Sequence, residues 1–249
     1  MLDIDPSHRF QPFGPVHLTT MAVIVFLTIV SVLIVRNRKF QNWIEPLCGT
    51  LAIFLLGNEL IWWIVALNLH MFSLRWGLPL QLCDLVIFLV SFSLIRYNQW
   101  VWELAYFWGL GATLQAVMTP DIQADFPHYY FFKFFITHGG VVMAVVILAA
   151  GLRRPISRSS MGRVWLITNI YAGIILIYNM IFQANYLYLL RKPSRPSLLD
   201  FFGPWPYYIF GLEFILIVSL VLYYAPYYFL EKIKSPKNIK DSSKETDVP

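Results

Sequence analysis

Long apolar runs alternate with short polar stretches along almost the whole chain. Seven runs can be drawn, at roughly 18–36, 44–68, 78–96, 100–118, 129–151, 164–185 and 206–230. Each is close to the ~20 residues that cross bilayer hydrocarbon as a helix. The predicted fold is therefore all-α, with seven transmembrane helices over residues 1–230. A polar, Lys-rich tail follows over 231–249. It cannot bury enough apolar surface to fold alone and is expected to be disordered. Gly and Pro occur inside several runs, which membrane helices tolerate when neighbours satisfy the backbone.

Composition agrees with this pattern. The chain has 249 residues, 58% hydrophobic and only 13% charged, and its mean hydropathy is +0.60. A soluble domain carries about a quarter charged residues, so a globular enzyme with one anchor is excluded. The N-terminal Met1-Leu2-Asp3-Ile4-Asp5 is acidic and lacks the basic start of a secretory signal. The first helix is expected to be retained.

The net charge of +5 does not point to nucleic acid, because the basic residues gather at helix ends and in the tail. With the N-terminus outside, thirteen of the nineteen Lys and Arg fall on the inner side. This bias predicts an N-out, C-in topology. The basic loop at 152–163 is its strongest element, and the tail is placed to graze anionic lipid. Arg191, Lys192 and Arg195 run against the trend. They lie in an apolar, Pro-broken segment, 186–206, expected at the outer interface. They read either as headgroup anchors or as a phosphate-binding rim.

Within the apolar runs, nine polar residues fall near one depth: Glu59, Gln81, Cys83, Asp84, Gln115, His138, Asn179, Gln183 and Glu213. Counting ~1.5 Å per residue puts Glu59 and His138 about 13 Å, Glu213 about 10 Å and Cys83 about 8 Å below the outer face. Gln81 and Asp84, three apart, share a helix face, as do Asn179 and Gln183, four apart. Polar groups in lipid are costly and mark functional sites, so the layer suggests a pocket opening toward the outer leaflet. The alternative is interhelical hydrogen bonding.

Cys83 and His138 give such a pocket chemistry. A thiol is intrinsically nucleophilic and an imidazole can take its proton. A carboxylate from Asp84, Glu59 or Glu213 would orient the ring. Gln81, Gln183 or Asn179 would donate to a developing oxyanion. Gly139-Gly140 would let an acyl chain or a helix approach closely. Cys48 and Cys83 start at opposite faces, too far apart for a disulfide. One deep His and one Cys do not make a metal site. No dinucleotide or P-loop glycine motif calls for a cofactor.

Several short motifs carry a resemblance. Leu78-Pro79-Leu80-Gln81-Leu82-Cys83, His138-Gly139, Asn185-Tyr186, Lys192-Pro193, Ser197-Leu198-Leu199-Asp200 and Gly203-Pro204-Trp205-Pro206 resemble the bacterial YwaF-type seven-span proteins. Those are similar to the eukaryotic transmembrane protein 164 family. The resemblance spans roughly 15–230, and 185–206 is its most distinctive part. It implies a bacterial plasma-membrane protein and a lipid acyltransferase or acyl-ester hydrolase using a Cys/His pair. Cys83 would carry the acyl group of a phospholipid as a thioester. His138 would activate an acceptor such as a lysophospholipid hydroxyl. The intramembrane carboxylates also suit a proton-coupled transporter. A noncatalytic lipid-binding or small-molecule-binding protein is the third reading.

Overall fold

The computed structural model describes residues 9–193 and 198–234. Helix α1 spans Pro15–Arg36, with Pro15 at its first position, where a missing N–H costs nothing. A short 3₁₀ turn, Arg38–Trp43, leads into α2, Ile44–Asn68. Helix α3 spans Leu82–Ile95. Helix α4, Gln99–Trp108, continues through a wide segment, Gly109–Leu114, into α5, Gln115–Met118. Helix α6, Tyr129–Val146, likewise ends in a wide segment, Ile147–Gly151. Helix α7 spans Arg158–Phe182 and α8 spans Tyr207–Lys234. Among the described residues there is no strand. One isolated bridge pairs Arg9 with Ala124.

Five of these helices are long and apolar enough to cross a membrane: Pro15–Arg36, Arg38–Asn68, Tyr129–Gly151, Arg158–Phe182 and Tyr207–Ile233. Their outward faces stay apolar. Phe26, Ile53, Ile181 and Phe210 are each more than 60% exposed, as side chains are when their solvent is lipid. The remaining two runs are shorter or divided. Helix α3 has 14 residues. The 99–118 run is split by a segment with i→i+5 bonding, where Thr113 Oγ1 donates to the Gly109 carbonyl. A hydroxyl that bonds back to the preceding turn bends and widens a helix.

The core lies where α2, α3, α4 and α6 meet. Ala52, Val86, Ile87, Val90, Trp102, Ala105, Val141, Ala144 and Val145 are fully buried there. Small residues at this junction let backbones approach, as in other membrane bundles. Gly109 sits against Val145, and an added Cβ would lie 2.8 Å from that side chain. Gly139 and Gly140 do the same for Ile24 of α1 and Leu55 of α2. Their close approach is to helices on two sides, the second of the two options the sequence offered.

Several boundaries differ from the hydropathy reading for local reasons. Span three starts at Leu82, not residue 78, because Pro79 donates no N–H and Gln81 is extended as the N-cap. Span six starts at Arg158, six residues early, because Ser157 and Ser160 form a reciprocal cap. The basic 152–163 stretch is therefore half helix. Helix α8 runs past 230 to Lys234. The remainder of the predicted tail, 235–249, lies outside the described residues.

Candidate functional site

An open cleft of about 360 Å³ is lined by Trp62, Asp121, Ile122, Gln123, Ala124, Tyr130, Lys133, Phe134 and His138. Its walls are the end of α2, the first turns of α6 and the 121–124 loop between α5 and α6. The loop is pinned from the other side. Phe10 N–H donates to the Gln123 carbonyl at 3.1 Å. Buried His17 accepts from Phe13 N–H and donates from Nε2 to the Val117 carbonyl at 2.8 Å. That histidine ties α1 to α5.

Lys133 is the centre of the site's electrostatics. The sequence pattern placed it among the outer charges. Its Nζ lies 2.8 Å from Glu59 Oε2, and both side chains are largely buried. It also stands 5.8 Å over the Trp62 ring, which packs on Tyr130. Beside this pair, Asn58 Nδ2 donates to Thr137 Oγ1 at 2.8 Å. The Lys133 charge acts on Cys83, Asp84 and His138. Asp84 interacts in turn with Glu59. A lone lysine inside Tyr129-Tyr130-Phe131-Phe132-Lys133-Phe134-Phe135 was the sequence signal for this role.

His138 is half-buried at the edge of the cleft, stacked on Phe134 at 4.2 Å. Its Nδ1 is 2.9 Å from the Phe134 carbonyl. A carbonyl only accepts, so Nδ1 carries the proton and Nε2 keeps a lone pair. The group that fixes the ring is thus a backbone carbonyl. None of the three carboxylates expected for that task takes it. Glu59 holds Lys133. Glu213 accepts from Trp165 Nε1 and Asn169, on the α7–α8 side of the bundle. Asp84 makes no hydrogen bond with His138 among the described residues.

Cys83 sits in the first turn of α3 and is a free thiol, like Cys48. It is not among the residues lining the cleft, and no hydrogen bond joins it to His138 among the described residues.

The remaining polar residues of the layer lock two loops together. Buried Asn179 gives both amide atoms to the Tyr186 backbone, at 2.8 and 2.9 Å. Gln81 Oε1 accepts from Leu187 N–H at 3.0 Å. Arg75 donates to Gln183 Oε1 at 3.1 Å. Tyr186 OH accepts from Leu78 N–H and donates to the Leu74 carbonyl. Asn179 thus spends its carbonyl oxygen and one of its two amide N–H groups on this loop rather than on the cleft. The shared helix faces expected from spacing do not form. Gln81 precedes α3, and Gln183 follows α7 in a left-handed conformation, φ 52°. Gln115 is exposed on α5. Of the basic rim, Lys192 pairs with Asp200 at 3.6 Å and covers the Tyr208 ring at 5.7 Å. Arg191 is exposed, with its backbone held by Asn185. Arg195 lies outside the described residues.

A second polar cluster escaped the sequence reading. Glu103 on α4, buried, accepts from Arg163, Ser160 and Gln99. It bonds α4 to α7 near the opposite end of the bundle from the cleft. Its run of Trp and Tyr neighbours hid it.

A family model described as the TMEM164 family matches residues 12–224. No curated protein and no solved structure matches the chain.

Proposed function

The chain belongs to the TMEM164 family, and from that premise we propose that this multi-pass membrane protein transfers acyl groups between lipids through Cys83 and His138. The observation that carries the reading is the fixed tautomer of His138. Its Nδ1–H is committed to Phe134, which leaves Nε2 as a base at the edge of a cleft. Lys133 lines the same cleft as His138.

In this reading His138 Nε2 takes the Cys83 S–H proton as sulfur attacks a phospholipid ester carbonyl. The carbon–oxygen bond breaks, and the departing glycerol oxygen receives that proton. A lysophospholipid leaves, and a thioester remains on Cys83. An acceptor hydroxyl then gives its proton to Nε2, attacks the thioester and releases the thiolate, which recovers the proton. Water as acceptor gives hydrolysis. Lys133 is suited to steady the oxyanion formed in each half.

The same reading takes α3 and the 99–118 run as spans, giving seven, with the N-terminus outside and the cleft in the outer half of a cell membrane. The 14 residues of α3 rise about 21 Å. That is shorter than the ~30 Å of hydrocarbon, and a turned stretch, 78–81, closed by a Leu80 N–H bond to the Leu78 carbonyl at 2.8 Å, leads into α3.

The test uses purified protein in nanodiscs with acyl-labelled phospholipid and a lysophospholipid. The expected result is a labelled acyl adduct on Cys83, seen by mass spectrometry, together with labelled product. Cys83→Ser abolishes both. Transfer at an undiminished rate in Cys83→Ser overturns the proposal, as does the absence of adduct and product in folded wild-type protein.

A further inference from the structure

At the other end of α6, about 27 Å from Lys133 by helix rise, a second cavity of about 280 Å³ is lined by Val35, Arg36, Arg38, Gly151 and Arg153. Its wall is almost wholly polar. Three arginines line it from three places: the last residue of α1, the 3₁₀ turn after it, and the turn that ends the α6 run. No carboxylate pairs with any of them among the described residues. Two other arginines of this end have side-chain partners. Arg163 holds Glu103, and Arg154 lies over the Tyr97 ring at 5.0 Å.

The cavity is built by specific local features. Gly151 has no side chain, so Val35 comes close enough that a Cβ there would lie 3.1 Å from Val35 Cγ1. That contact brings the end of α1 against the turn carrying Arg153. Arg153 itself is left-handed, φ 54°. Backbone bonds from Leu152 N–H to the Ile147 carbonyl and from Arg154 N–H to the Leu148 carbonyl hold it so. This is a position where glycine is usual. A strained arginine in place of glycine points to a use for its side chain.

We propose that Arg36, Arg38 and Arg153 form a binding site for a phosphate-bearing anion, the chemistry shared by an anionic lipid headgroup and a free phosphate ester. Topology alone accounts for basic residues at this end, and it does not account for three that line one cavity with no acidic partner among the described residues. The helix dipoles oppose an anion here, since α1 and the α6 run both present C-terminal ends. Each contributes roughly −0.5 charge. Set against three full positive charges, about +2 remains, which suits one phosphate group. Guanidinium forks match phosphate oxygens two at a time. This site stands apart from the acyl-transfer reading and shares no residue with it.

The experiment is native mass spectrometry of the full chain in detergent with added phosphatidylglycerol, phosphatidylcholine or inorganic phosphate. The expected result is that wild type retains phosphatidylglycerol in preference to phosphatidylcholine. The Arg36→Gln/Arg38→Gln/Arg153→Gln variant loses that preference, and each single change weakens retention about tenfold. If inorganic phosphate displaces the lipid or binds equally well, the site takes free phosphate as well as headgroups. Binding of phosphatidylglycerol by the triple variant at wild-type strength overturns the proposal. So does a wild type that binds neither anion above the variant. Should the triple variant fail to fold, Arg36→Gln and Arg38→Gln, both at exposed positions, carry the test singly.

Discussion

Replacing Lys133 will destabilise the protein more than replacing Glu59, although the two form one ion pair. Their charged atoms are 2.8 Å apart, and the side chains are 15% and 4% exposed. At an effective dielectric near 20 the gross attraction is on the order of 6 kcal/mol. Desolvation of two charges cancels most of it, whereas removing one partner alone costs about 3–5 kcal/mol. Asp84 breaks the symmetry, because it interacts with both members of the pair. After Glu59→Gln, Lys133 keeps the attraction of Asp84. After Lys133→Met, Glu59 and Asp84 keep their mutual repulsion and both lose the cation. The expected losses are about 3 kcal/mol for Glu59→Gln and about 5 kcal/mol for Lys133→Met. The double variant should lose at least about 2 kcal/mol less than their sum. The assay is equilibrium unfolding in mixed micelles, titrated with sodium dodecyl sulfate and followed by circular dichroism. Equal losses, a reversed order or strict additivity would refute the reasoning.

Two further changes test the loop lock and the packing of α8. Asn179→Ala leaves the N–H of buried Tyr186 without a partner and its carbonyl with only the long 3.5 Å bond from Leu189 N–H. It should cost about 3 kcal/mol in the same titration and speed proteolysis between 183 and 192, whereas unchanged loop cleavage would show that the lock lies elsewhere. At Gly211 an added Cβ would lie 2.3 Å from the Phe202 ring, so Gly211→Leu should expel that ring and cost about 1–3 kcal/mol. Hydrogen exchange should quicken at Leu198–Phe202 and stay slow along α8, and uniform protection would contradict the packing described.

The helical architecture was legible because it follows from composition along the chain. Apolar runs located the long α-helices to within a few residues at most ends, with α7 starting six residues early. The ends were less legible where a single residue decides them, as Pro79 and the Ser157–Ser160 cap do. Depth counting brought Glu59 and His138 to one level, and both belong to the α2–α6 seam. It could not show that Lys133 completes that seam, since the contact joins residues 74 positions apart. Helical spacing misled at Gln81 and Gln183 because both lie just outside the helices that seemed to contain them. The loop-locking roles of Asn179 and Gln81 were hidden because their partners are backbone groups, at Tyr186 and Leu187, which carry no residue signature.

The wide segment at Gly109–Leu114 has a consequence for how this chain can change. An i→i+5 turn holds one residue more than an ordinary helical turn. Shortening the chain by one residue inside it would restore a plain α-helix while keeping Glu103 and Val117 facing their present neighbours. The same deletion a turn earlier would swing everything beyond it by about 100°. The segment is thus slack in an otherwise taut wall. It is the place where that helix can absorb a length change without losing its grip on α7 at one end or on His17 at the other.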